Sequence, residues 1–314
     1  MNILFHSNQL GLRGTEVALY DYAYYGRQYI DINPIIVSNK NSELSSHEKF
    51  SSEFEVVLYD NVNELARISD TYKSKYAYFI KAGSNDGIFV DNSKSIIHSV
   101  FQEYDPHGYV YGYVSEWLSL KMTNGNSPYV PHMISILDYD HNENLREYLG
   151  ISDDCFVYGY YGGRDSFNID YVKRYIHNFN SNRNIKFVFM NIDPFTDNEN
   201  AFFLDGTFSM FHKISFINTC DACLHARYGG ESFGLTIGEF SMKNKPIVTC
   251  ETQPTWDNNH IYILGSNAIL YNQSNIDDVI SDFAINHDKY KNWNFYSKFS
   301  PEQVIDVFNR RFLI

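Results

Sequence analysis

Strand-like and helix-like runs alternate along this chain, and the alternation constrains its fold more than any other feature. Residues 2–6 (NILFH) read as a strand. A loop over 7–14 follows, with Gly11 and Gly14, and 15–28 sets Val17, Leu19, Tyr20, Ala23 and Tyr24 at helical spacing. The run 33–38 (NPIIVS) resumes a strand, and 55–59, 76–81, 95–98 and 110–114 are further strand candidates. A second series starts after the charged stretch 138–150, whose LREYLG end reads as a short helix stopped by Gly150. Strands are expected at 155–161, 185–191, 220–226, 246–250 and 268–271, with helices over 169–179 and 234–243. Strands separated by helices predict an α/β protein with parallel sheets covered on both faces. The segment 300–312 predicts a last helix, with Ser300 as N-cap, Pro301 at its first position and Gln303 at the capping-box position. At 314 residues the chain suits two domains, with a linker near 132–142.

Composition narrows the functional classes. The net charge of −13 makes nucleic acid a poor partner and disfavours tight docking on anionic membranes. No segment approaches the roughly 18 apolar residues of a membrane span, and the opening MNILFHSNQ lacks a secretory pattern. Four cysteines in this length do not make a disulfide framework, so a reducing, cytoplasmic setting is expected. Asn272-Gln273-Ser274 is therefore a glycosylation sequon in form only. The 26 tyrosines and 24 phenylalanines read as a residue bias rather than as a carbohydrate surface.

Chemistry concentrates in 219–250 (TCDACLHARYGGESFGLTIGEFSMKNKPIVTC), a strand–loop–helix–strand unit. Ligands of open α/β sheets bind at the carboxyl ends of strands, where this loop lies. The N–H groups of Ser232, Phe233, Gly234 and Leu235 would open a helix and suit a phosphate. Glu231 precedes that helix and can reach sugar hydroxyls. Glu239, eight positions on, lies about two turns in, where its carboxylate could accept both ribose hydroxyls. The spacing alone equally suits an acid favoured by the helix dipole and a surface residue. Cys220, Cys223 and His225 have zinc-like spacing, but no second pair accompanies them, and buried thiols are expected. Asp138-Tyr139-Asp140 imitates a metal-binding Asp-x-Asp and is read as a solvated turn. No GxGxxG fingerprint is present, which argues against a nicotinamide dehydrogenase.

The Gly-Glu-Ser-Phe-Gly-Leu core, the acid in the following helix and the Lys-Pro-Ile-Val strand resemble the E-x7-E region of retaining GT-B glycosyltransferases, the group 1 or family 4-like type. CFVYGYYGGR (155–164) is similar to the first strand of that family's C-terminal domain, where the arginine binds the donor diphosphate, so the resemblance implies that role for Arg164. The family has a lysine a few residues on. Here SFNID stands at that point, the nearest lysine is Lys173, and Arg227 is a possible substitute. GLRGTE resembles the family's glycine-rich loop, with Gly14 near donor phosphate or acceptor, although a plain turn capping a helix at Thr15 also suits it. IIHSVFQEYDPHGYVYGYVSEWLS resembles the stretch with a donor-contacting histidine, a place that His98 fits and His107 fits less well.

The resemblance implies two Rossmann-like domains facing each other across a cleft, 1–137 on the acceptor side and 138–299 for the nucleotide sugar, with a helix over 300–314 crossing back. It implies transfer of a hexosyl group from a nucleotide-diphosphate sugar to an acceptor hydroxyl of a glycan or small molecule, with retention and without a metal or added cofactor. His98 and Glu231 would position the sugar. A GT-B epimerase or phosphorylase and a non-catalytic sugar-nucleotide-binding protein are the alternatives, and the oligomeric state is open.

Overall fold

A computed structural model describes residues 1–136, 141–180 and 183–314, so the Asp138-Tyr139-Asp140 turn lies outside the described residues. The chain divides into two compact units: unit 1 is Met1–Met133 with Lys298–Ile314, and unit 2 is Ile134–Ser297.

In unit 1 the strands are β1 (Asn2–His6), β2 (Asn33–Asn39), β3 (Glu55–Tyr59), β4 (Tyr76–Lys81), β5 (Lys94–Ser99) and β6 (Val110–Tyr113). They form a parallel sheet in the order β3-β2-β1-β4-β5-β6. Unit 2 contributes β7 (Phe156–Tyr161), β8 (Ile185–Met190), β9 (Ala201–Leu204), β10 (Ala222–His225), β11 (Gly230–Glu231), β12 (Ile247–Cys250), β13 (Asp257–Asn258) and β14 (Ile269–Tyr271). Its main sheet runs β14-β12-β10-β7-β8-β9, also parallel, while β11 pairs with β13 alone. Both six-stranded sheets therefore have the doubly wound Rossmann order, which reverses beside the first strand: between β1 and β4 in unit 1, and between β7 and β10 in unit 2. That reversal opens the crevice at which such sheets bind ligands. The sequence pattern anticipates most of these elements. It misses β9, whose AFFL residues are half-buried at the sheet edge, and the two-residue pair β11–β13.

Strands buried on both faces read as continuous apolar runs, and FVYGYY of β7 is buried throughout. The aromatic bias has a structural use. Tyr22, Tyr78, Tyr158, Tyr271 and Tyr296 are among the largest fully buried side chains. A buried phenol needs a hydrogen-bond partner, and these find backbone carbonyls or a histidine. Tyr158 donates to Ile280 O at 2.9 Å, Tyr271 to His225 O at 2.7 Å and Tyr22 to Pro131 O at 2.7 Å. The core tyrosines thus also clamp the chain.

The helix Pro301–Phe312 belongs to unit 1, where Phe308 stacks on Tyr22 at 5.3 Å between ring centroids. Ser300 is its N-cap and Pro301 its first residue as expected, but the Ser300 side chain makes no capping hydrogen bond, so the expected capping box does not form. Among the described residues no helix is long and apolar enough to cross a membrane.

Candidate functional site

At the switch point of unit 2, two loops leave neighbouring strands. The loop after β7 carries Gly162-Gly163-Arg164. Its turn is closed by Ser166, whose N–H and hydroxyl both donate to Gly163 O, at 2.8 and 2.7 Å. The Arg164 side chain is 76% exposed and makes a loose contact of 3.4 Å to Asp193. The expected lysine place is filled by SFNID, and the structure gives Asn168 a different task. Its N–H donates to Ala226 O at 3.0 Å and its Oδ1 accepts the Tyr228 N–H at 2.6 Å, so it stitches the β7 loop to the β10 loop. Lys173 turns instead onto the Phe195 ring, 5.5 Å from its centroid.

The loop after β10 is held tightly. Gly230 has φ +72°, and a Cβ there would overlap the Asp257 carbonyl, so the β11–β13 pairing requires glycine. The Phe233 carbonyl accepts from Asn259 Nδ2 at 3.1 Å and from the Tyr296 hydroxyl at 3.2 Å. Gly234, at φ +88°, is the N-cap of the helix Leu235–Met242, which has no side-chain cap. Its first turn is tied to the end of β7 by Thr236 Oγ1, which donates to Tyr161 O at 3.0 Å. Ser232, Phe233, Gly234 and Leu235 thus stand at a helix start whose dipole favours an anion.

Glu231 is the electrostatic centre of this loop. Its Oε1 lies 3.3 Å from His225 Nε2 and its Oε2 3.0 Å from Arg227 Nη1, with 12% of the side chain exposed. Burial alone would raise the carboxyl pKa, but the Arg227 charge and the His225 hydrogen bond outweigh it and hold the group at about 2. Glu231 is therefore ionised, and it in turn raises the Arg227 pKa. The Arg227 side chain is 39% exposed, so a permanent cation reaches the loop surface. Behind Glu231, Thr249 Oγ1 lies 2.8 Å from His225 Nδ1 and 3.4 Å from His260 Nε2. Cys220 and Cys223 are free buried thiols, and His225 faces Glu231, so the zinc-like spacing reflects a packed strand.

Glu239 is buried, not a surface residue, and its Oε1 pairs with Lys213 Nζ at 3.0 Å. Lys213 also lies 5.4 Å from the Tyr161 ring, at the end of β7. Sequence reasoning misses Lys213, Asn168, Thr249 and His260. Asn168 lies in SFNID and Thr249 directly follows Lys-Pro-Ile-Val, but neither residue type marks a role there; Lys213 and His260 lie in no motif, and only the preference of a buried charge for a partner hints at a cation near Glu239.

The candidates of unit 1 are placed differently. Gly14 opens the helix Gly14–Ile30, whose N-cap is Arg13, so the cap expected at Thr15 is not used. Thr15 donates to Glu16 Oε1 at 2.7 Å instead. His98 is fully buried. Its Nδ1 is 2.7 Å from the Tyr78 hydroxyl and its Nε2 2.9 Å from Val130 O, so both nitrogens are engaged inside unit 1. His107 bonds Asp105 O at 2.6 Å.

No protein-family model and no curated protein matches this sequence. Solved structures do match in fold. A glycosyltransferase from Rickettsia africae is 11% identical with a TM-score of 0.69, covering 99% of this chain and 98% of that one. Anabaena Alr3699/HepE, solved with UDP and glucose, is 12% identical with a TM-score of 0.65, covering 99% and 95%. A UDP-N-acetylglucosamine 2-epimerase is 9% identical with a TM-score of 0.53, covering 95% and 90%. At such identities the likeness establishes the fold, which is GT-B with two Rossmann-like domains.

Proposed function

We propose that this protein transfers a hexosyl group from a nucleotide-diphosphate sugar to an acceptor hydroxyl of a glycan or small molecule, with retention. One observation carries the reading: the loops after β7 and β10 bring Arg164, Arg227, Glu231 and an uncapped helix start to the switch point of a single sheet. In this reading the anomeric C–O bond to the diphosphate breaks, the acceptor oxygen bonds the same face, and its proton passes to the departing phosphate oxygen. Arg164, Arg227 and the amides of Ser232–Leu235 stabilise charge growing on the diphosphate, as pre-aimed donors do. Glu231 accepts from sugar hydroxyls through the lone pairs that His225 and Arg227 leave, and so orients the ring. Glu239, beside Lys213, accepts from the ribose hydroxyls. Gly14 lets the β1 loop of unit 1 approach the acceptor or the donor phosphate. His98, with both nitrogens engaged inside unit 1, holds the Val130 segment. Protein cations and amides do the work that a metal would otherwise do, and the four free thiols suit a reducing, cytoplasmic setting.

Calorimetry with a panel of UDP- and GDP-sugars, followed by product mass and anomeric configuration by NMR, tests this. Transfer with retention supports it. No binding to any donor, or binding with no turnover, overturns it. Because the matched folds include epimerases, the same panel is scored for epimerised or hydrolysed sugar in the absence of acceptor, which would assign that reaction instead.

A further inference from the structure

His225 and Thr249 are register partners on adjacent strands, β10 and β12, and His260 stands on the helix Asn259–Leu264. Together they form an unbroken run: His260 Nε2 to Thr249 Oγ1 at 3.4 Å, Thr249 Oγ1 to His225 Nδ1 at 2.8 Å, His225 Nε2 to Glu231 Oε1 at 3.3 Å. All three residues behind Glu231 are buried. We propose that this run is a directional hydrogen-bond chain that makes His225 the positioning residue of Glu231, holding its carboxylate for the sugar. The proposal rests on the donor site described above and adds residues to it.

The direction follows from donor and acceptor chemistry. A carboxylate only accepts, so His225 must carry its proton on Nε2. In a neutral ring Nδ1 is then an acceptor, and the Thr249 hydroxyl must donate to it. Having given its one proton, Thr249 Oγ1 accepts from His260, which therefore carries Nε2–H and a bare Nδ1. His260 Nδ1 is indeed buried with no partner among the described residues. A bare acceptor is less costly to bury unpaired than an N–H group. Burial also holds His260 at about 3, hence neutral. The two rings lie 4.9 Å apart between centroids, so His260 also packs His225 in place. With Arg227 on the other oxygen, both carboxylate oxygens are pinned. The His225 proton cannot move to Nδ1 unless Thr249 and His260 reverse together.

The test is histidine 15N NMR on the full chain, with calorimetry on the parent, Thr249→Val and Thr249→Ser. The expected parent signature is Nε2–H at His225 and at His260. In Thr249→Val the His260 Nε2–H loses its acceptor, so the His260 signal should shift while His225 keeps Nε2–H, and Thr249→Ser should restore the parent signal. UDP-glucose or GDP-mannose affinity should fall about tenfold in the valine variant, while UDP or GDP affinity changes less than twofold, because Glu231 meets only the sugar. An Nδ1–H tautomer at His225 in the parent overturns the proposal. So does a valine variant with an unchanged His260 signal, or one that loses affinity for sugar donor and free nucleotide equally. Failure of the transferase reading looks different: the parent binds none of the four ligands, and the tautomer measurement still decides whether the chain runs as stated.

Discussion

Equivalent strands of the two sheets end in different chemistry. In unit 1, β1 ends at His6 and β4 at Lys81, and both are buried. His6 Nε2 meets the Tyr59 hydroxyl at 2.9 Å, and Lys81 Nζ meets Asp86 at 2.5 Å and Ile88 O at 3.0 Å. His98, on the next strand, is likewise enclosed. In unit 2, β7 ends at Tyr161 and β10 at His225, yet the loops beyond carry Arg164 and Arg227 out past the carboxyl ends of the central strands. One strand order thus serves two purposes. Unit 1 spends its strand-end polar groups on one another, whereas unit 2 uses a buried histidine and carboxylate to aim an exposed cation. The frame supplies a crevice in both, but only the side chains decide whether it presents charge to a ligand.

The comparison breaks most sharply at Glu231. Glu231→Ala should lower kcat/KM for transfer by roughly a thousandfold, about 4 kcal/mol, by removing an aimed group, with Glu231→Gln intermediate. Parent-like transfer by the alanine variant, measured by product mass, would remove the site from unit 2.

Acid should next separate the units. Burial, aided by the Lys81 charge, holds His6 at about 3. Burial also holds His98 at about 3 and His132 well below the usual 6.5. In unit 2 the counterpart is His260. These neutral rings favour the fold above about pH 6.5, and the benefit is lost as pH falls from there toward 3, at about 1.4 kcal/mol per group per pH unit. With three such groups against one, unit 1 should lose roughly 3 kcal/mol more than unit 2 at pH 5.5. Hydrogen exchange at pH 7 and 5.5 reads this directly, and equal loss in both units contradicts it.

His98→Phe sharpens the contrast further. It should destabilise unit 1 by about 2 kcal/mol, since Tyr78 and the Val130 carbonyl lose a partner, and leave donor affinity within about twofold. A large loss of affinity with an unchanged melting temperature would return His98 to the sugar. The smallest effect is expected at Lys213. Lys213→Met leaves Glu239 without its 3.0 Å partner, and nucleotide affinity should fall about tenfold, near 1.4 kcal/mol. Calorimetry with UDP and GDP measures it.

The alternation of apolar runs and helical spacing was enough to read two parallel sheets, because strands buried on both faces carry a local signature. The motif around Glu231 was legible for a similar reason: its glycines answer local backbone demands, as the positive φ of Gly230 and Gly234 shows. The half-buried edge strand β9 and the two-residue β11 and β13 were not, since neither a period nor a run survives at that length or exposure.

What the sequence by itself determined is therefore the alternating frame, the glycine turns and the charged residues set in them. What only the tertiary structure decided is who faces whom. His225 meets Thr249 because parallel register aligns β10 with β12, Asn168 reaches Tyr228 because two loops share a switch point, and Lys213 reaches Glu239 across a helix pair. Those partners lie 24, 60 and 26 residues apart in the chain. Their pairing is a consequence of strand order and packing, and neither leaves a local mark on the sequence.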